Sequence, residues 1–137
     1  MARLDMSGMD EVLKQMKDMQ MLTGKVADEM LMAGAEVMKE AWKDTITRFE
    51  LINNDDMRKS VGYPRQPKSI NDVRTIDVYP QGKDRNGVRN AEKAFVLHYG
   101  RSTMDPTEFV DVAEQQGKAE ADAVMEKIWD NFIENGG

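Results

Sequence analysis

The first third of the sequence carries one helical apolar pattern with a single interruption, and the last quarter carries another. From Met9 through Val12, Leu13, Met16 and Met19, apolar residues recur three and four apart. The spacing resumes through Val26, Met30, Ala33, Val37, Met38 and Ala41, with Trp42 beside the stripe. Ser7 with Asp10 three residues on marks a helix start, Leu22-Thr23-Gly24 interrupts, and acid–base pairs such as Glu36–Lys39 and Glu40–Lys43 take the exposed side. These signals predict a helical region over 8–49, kinked or broken at Gly24. In a single domain of 137 residues such a stretch must either project from the globule or fold back on itself.

The closing pattern predicts a helix over 106–134. Asp105 suits the N-cap, Pro106 the first turn, and Glu108 sits three residues after the cap. Phe109, Val112, Ala113, Ala121, Val124, Ile128 and Phe132 mark the inward face, Met125 and Trp129 flank it, and Gly117 admits a close neighbour. Asn135-Gly136-Gly137 ends it.

Between the helices the character changes, and 57–89 reads as strands and loops. Met57 to Tyr63 suits a short strand or a helical turn, Tyr63-Pro64-Arg65-Gln66-Pro67 is loop, and Val73 to Tyr79 alternates as a strand does. Residues 82–87 form an exposed loop expected to join two antiparallel strands, with Val88 in the return. Ala91, Ala94, Phe95 and His98 have helical spacing, so 90–98 reads as a short helix, although the apolar run from Ala94 to Tyr99 also suits a strand. The expected fold is α+β: a long N-terminal helical region and a long C-terminal helix packed on a small antiparallel sheet, in one domain spanning 1–137.

Chemistry is sparse. The chain has no cysteine, which excludes disulfides, thiolate metal sites and thiol catalysis. Its single histidine, His98, has no Gly-x-Ser-x-Gly nucleophile elbow to serve, and reads as a packed side chain rather than a general base. Zinc-ligand spacing and phosphate-binding glycine loops are absent, and Asp84-Arg85-Asn86-Gly87 lacks the rest of a calcium loop. No cofactor is expected. The N-terminus has no apolar leader and no run approaches a membrane span, so a soluble, unexported chain with no membrane partner is expected.

Charge is unevenly spread. Residues 105–137 hold nine acidic and two basic side chains, whereas residues 69–104 hold six basic and four acidic. The ten basic residues between Arg58 and Arg101, interleaved with Tyr63, Tyr79 and Tyr99, offer a candidate nucleic-acid patch. The acidic last helix opposes DNA along its length and suits docking on a basic surface of a neighbouring copy. Nine of the twelve methionines fall within the first 38 residues, which suits either core gap-filling or an adaptable interface.

Leu97-His98-Tyr99-Gly100-Arg101-Ser102-Thr103-Met104, followed by Pro106 and Phe109, resembles a bacteriophage tail-component family, the one named after the tenth gene product of the lambdoid phage Hong Kong 97. Upstream, Met57-Arg58-Lys59-Ser60-Val61 looks like that family's Leu-Arg-x-Ser-Ile segment. The chain departs from the family at Asn53-Asn54-Asp55-Asp56 and at Glu108, where prolines are usual. The resemblance implies a non-enzymatic structural protein of a phage or prophage virion, assembled in the host cytoplasm at the head-proximal end of the tail. Its implied work is tail completion and head–tail joining, with other neck and tail proteins as partners and a homo-oligomer, in ring form, on assembly. On that reading the contact residues are Tyr99, Gly100, Arg101, Ser102, Met104 and Phe109, with Lys83 and Arg85 from the loop before them. Tyr99 and Phe109 are expected to fix the last helix against the sheet. The competing reading is a small DNA-binding protein of a mobile element that uses the basic middle segment.

Overall fold

The computed structural model describes residues 2–5, 9, 11–12, 14–15, 25–49, 55–70, 73–100 and 107–135. Their elements run β1 (Ala2–Leu4), α1 (Lys25–Arg48), α2 (Asp56–Ser60), β2 (Val61–Gly62), β3 (Lys68–Ile70), β4 (Val73–Pro80), α3 (Asn90–Tyr99) and α4 (Phe109–Glu134). Glu11, Val12, Lys14 and Gln15 are also helical. The fold is α+β, with two long helices and a four-stranded antiparallel sheet. The expected break at Leu22-Thr23-Gly24 lies outside the described residues.

The two long helices pack against one another, and residues 16–24, where the 8–49 region would turn back on itself, lie outside the described residues. Three contacts set an antiparallel register along the seam. Trp42 of α1 meets Phe109 of α4 edge-to-face, with ring centroids 5.7 Å apart. Farther along, a Cβ placed on Gly117 would lie 2.6 Å from Met38 Sδ, and one on Gly34 would lie 3.2 Å from Met125 Sδ. Each helix therefore lays a methionine across a glycine of the other. The thioether's flexibility suits it to that gap, and the missing side chain lets the backbone come close. Buried Met9, Met30, Met38, Met57 and Met125 favour the gap-filling role for the methionines.

The buried line of α4 differs from the expected one. Phe109, Ala113, Gly117, Ala121, Met125 and Trp129 are inside, each four residues from the last, whereas Val112, Val124, Ile128 and Phe132 are only partly covered. Four residues turn the helix by about 400°, so this line drifts around α4 and its two ends face different neighbours. Phe109 meets Trp42 and His98. At the far end the Trp129 indole N–H donates to Gln15 Oε1 at 2.6 Å, joining the N-terminal segment to the end of the last helix.

The start of α4 also departs from expectation. The helix begins at Phe109, while Glu108 stands before it in a left-handed conformation (φ 54°) without a side-chain cap. Asp105 and Pro106 lie outside the described residues. Instead, α4 is tied to the end of α3. The Thr107 hydroxyl and amide both donate to the Leu97 carbonyl, at 2.6 Å and 3.0 Å, and the Glu108 amide donates to the His98 carbonyl at 3.0 Å. These bonds satisfy carbonyls that the last turn of α3 would otherwise leave open. Gly100 makes the exit possible, because its φ of 75° with ψ of −174° is a region that only glycine occupies readily.

Strand β4 is the hub of the sheet, and every other strand pairs with it. β1 aligns Arg3 with Asp77, β2 aligns Val61 with Pro80, and β3 aligns Lys68 with Thr75. The registers of β2 and β3 differ by two residues, so both belong to one hairpin arm interrupted between Tyr63 and Pro67, where Pro64 and Pro67 cannot donate to the ladder. Asp77 is nearly buried on β4, and its carboxylate takes Arg3 Nε at 2.7 Å and Lys68 Nζ at 3.4 Å. The expected return strand at Val88 does not form. Lys83 and Arg89 make a single antiparallel bridge, and Asn90 opens α3 directly. The short segment 90–98 is thus helical, and residues 57–62 supply both the turn and the strand allowed for them.

Two outcomes test this packing. Gly117→Val should cost about 1–3 kcal/mol through overpacking against Met38, read from urea unfolding. Adding Met38→Ala should recover part of that loss, because the two sites are coupled. The second concerns Asp77, whose carboxyl is held below its ordinary value chiefly by the hydrogen bond from Arg3. A depressed carboxyl contributes stability above its unfolded pKa of about 3.9, and that contribution disappears as pH falls through the lower folded value. Wild type should therefore lose stability more steeply on acidification than Asp77→Asn, measured by unfolding at stepped pH below about 5.

Candidate functional site

A cleft of about 340 Å³ opens at the junction of the helices and the sheet. Each wall has a different source. Trp42 comes from α1, Tyr79 and Pro80 from the end of β4, Phe95, His98 and Tyr99 from α3, and Val110, Asp111 and Glu114 from the first turns of α4. The glycine exit and the Thr107 tether hold α3 and α4 at the angle that opens the cleft.

Its floor and its rim differ in chemistry. Ala94 and His98, four apart, are the inward residues of α3, so Phe95 and Tyr99 stand on the neighbouring stripe and face out, each 62% exposed. Their rings pack against each other, centroids 4.7 Å apart. From sequence, Tyr99 is expected to join Phe109 in fixing the last helix against the sheet. Phe109 instead seats that helix on Trp42 of α1, fully buried, while Tyr99 lies on the rim. Two polar atoms of cleft residues, Trp42 Nε1 and His98 Nδ1, are buried without a hydrogen-bond partner among the described residues. Native interiors rarely leave such groups unpaired. Asp111 and Glu114 make the rim acidic, and burial pushes the Glu114 carboxyl above its ordinary value.

His98 meets Tyr99 and Phe109 edge-on, with centroids 4.4 Å and 6.5 Å away. Among the described residues no hydrogen bond to a carboxylate or hydroxyl orients its ring, and these two are its ring contacts. No group of three His, Cys, Asp or Glu able to hold a metal occurs among the described residues, and no described helix is long and apolar enough to cross a membrane.

The residues singled out from sequence separate into distinct places. Gly100 ends α3, Phe109 is core, and Tyr99 is rim. Lys83 is exposed on the loop after β4. Arg85 is not a free contact: its guanidinium and its amide clasp Asp56, with Nη2–Oδ1 at 2.7 Å, joining the loop to α2. Arg101, Ser102 and Met104 lie outside the described residues. Sequence reasoning missed Trp42, Phe95, Asp111 and Glu114 as one surface. The usable signal was the i, i+4 pairing of Phe95 with Tyr99 beside that of Ala94 with His98, which puts both pairs on adjacent stripes of one helix.

The basic middle segment is largely neutralised from within. Arg58 and Lys59 pair with Asp55, Lys68 with Asp77, Arg74 with Asp28, Arg85 with Asp56, and Lys93 with Asp84. Arg65, Lys83 and Arg89 form no ion pair with described residues. A row of cations free to neutralise successive phosphates is what nucleic-acid binding needs, and these pairings work against one.

No family model, curated protein sequence or solved structure matches the chain.

The reassignment of Tyr99 has a measurable consequence. Phe95→Ser with Tyr99→Ser should leave the unfolding free energy within roughly 1 kcal/mol of wild type, as exposed positions do. Phe109→Ala should cost about 3–5 kcal/mol through the cavity it leaves. Equal losses in a urea titration would show that the α3 aromatics anchor the fold.

Proposed function

We propose that this chain is a non-enzymatic structural protein of a tailed phage or prophage, working at the head-proximal end of the tail. It helps to complete the tail and join it to the head by binding other neck and tail proteins and its own copies. The observation that carries the reading is the cleft, where exposed aromatic rings border a hollow lined by Trp42 and His98, each with a buried polar atom that has no partner among the described residues. Aromatic residues at a partly apolar rim are the usual anchors of protein–protein contacts. Such a surface is completed by a partner; the imidazole shares the cleft with Asp111 and Glu114, and no hydrogen bond among the described residues joins it to either.

The sequence resemblance supports the same reading from a separate direction. Its aromatic-Gly pair is the point where α3 must stop, and its Phe is the side chain that seats α4 on α1. The motif thus coincides with the bend that shapes the cleft.

The test is location and loss. Particles purified from cells carrying the gene should contain the chain by mass spectrometry, and deleting the gene should leave filled heads and tails that fail to join. Particles free of the chain, or a deletion with undiminished infectious yield, would contradict the proposal.

A further inference from the structure

The loop between β4 and α3 is built as a rigid projection. The Asp84 carboxylate closes it, with Oδ1 accepting from the Asn86 and Val88 amides at 2.9 Å each and Oδ2 lying 2.9 Å from Lys93 Nζ. The Asp84 amide donates to the Val88 carbonyl at 2.8 Å, and Gly87 supplies the left-handed turn at φ 82°. Arg85 ties one side to Asp56 on α2. At the base, buried Asn90 donates its amide to the Gly82 carbonyl and its side chain to the Gln81 carbonyl, both at 2.9 Å. A loop held at so many points loses little freedom on docking. It presents Val88, an apolar side chain 42% exposed, next to Arg89, whose backbone bridges to that of Lys83, so that a guanidinium and an ammonium are carried beside it.

The cleft is the complement of that projection. It is aromatic inside, carries Asp111 and Glu114 at the edge, and neither carboxylate forms an ion pair with a described Lys or Arg. Its volume is at the small end of ligand-sized sites, so it admits a side chain or two and excludes a folded element. We propose that this cleft receives the loop 83–89 of a second copy of the chain, with Val88 seated on Phe95 and Tyr99 and the Arg89 guanidinium between Asp111 and Glu114. Arginine suits the position, since it stacks on aromatic faces and forks onto carboxylates.

The projection and the cleft lie at the same end of the molecule, because the loop runs directly into α3. Two copies related by a two-fold axis exchange loops reciprocally, which closes the assembly as a dimer. Each copy carries a formal net charge of −6, which opposes association. That repulsion is screened beyond about 8 Å at physiological salt, whereas the Arg89–carboxylate contacts act well inside that distance.

This inference rests on the assembly reading, and sedimentation of the purified full-length chain tests it apart from that reading. Wild type should sediment as a dimer of the 15.6 kDa chain. Arg89→Glu and Glu114→Arg should each raise the dissociation constant at least about tenfold. The double variant should restore it to within a few-fold of wild type. Both changes are compatible with the fold: Arg89 precedes α3, where an acidic side chain suits the helix dipole, and arginine is a good helix former within α4. Helical circular dichroism confirms that each variant is folded. A chain that stays monomeric to about 1 mM, where only very weak contacts escape detection, overturns the inference, as do single variants without effect or a double variant that fails to recover. A monomeric chain found in virions would sink this pairing and leave the assembly reading standing. A dimer absent from virions would do the reverse.

Discussion

Everything in this molecule hangs on the close approach of α1 and α4. Two glycines, Gly34 and Gly117, each lie under a methionine of the opposing helix, and Trp42 against Phe109 sets the register at one end. Packing of this kind tolerates little change in volume on the glycine side and more on the methionine side. With the two helices fixed, the other parts have a frame. β4 lies against α1, the remaining strands pair with β4, and α3 is suspended between the end of β4 and the start of α4. The cleft is the space this suspended helix leaves between itself, the strand end and the seam.

Much of this was legible from residue patterns, and the errors have physical causes. Two long apolar patterns around a β-prone middle gave the α+β class and the existence of both helices. The strand from Val73 also followed from alternation. The inward line of α4 was misread because apolar residues occupy two adjacent stripes, and spacing alone does not say which one the partner helix covers. The Trp42–Phe109, Gly117–Met38 and Gly34–Met125 contacts decide it. The helix start was misread because Asp105-Pro106-Thr107-Glu108 contains good capping residues, while the bonds from Thr107 and Glu108 to the end of α3 place the first turn at Phe109. Strand β1 is three residues long and gains its place by pairing with β4 and by the Arg3–Asp77 ion pair, a tertiary effect invisible to a local pattern.

Charge was the most misleading signal. As a string, residues 58 to 101 look cationic. In the fold, one carboxylate after another faces them, and these pairs connect elements distant in sequence: Asp28 to Arg74, Asp56 to Arg85, Arg3 to Asp77. Exposed ion pairs of this kind contribute little stability individually. Their larger effect is on what remains. Within the middle segment only Arg65, Lys83 and Arg89 have no ion pair among the described residues, the last two on one rigid loop. The cleft-rim carboxylates Asp111 and Glu114 have no described Lys or Arg partner. On the assembly reading, that division places attraction between molecules rather than along a phosphate chain. Gly100 matters to both levels, since the bend it permits sets the rim aromatics beside the acidic first turns of α4.

The claim beneath the whole account is that α1 and α4 form one cooperative unit to which α3 is only fastened. Native-state hydrogen exchange resolved by residue measures this directly. The account predicts that amides in 30–46 and 113–129 share the highest protection and exchange only through global unfolding, while those in 90–99 open locally at lower free energy. If α3 proved as protected as the seam, or if α1 and α4 opened independently of each other, the seam would not be the organising contact and the account would be wrong.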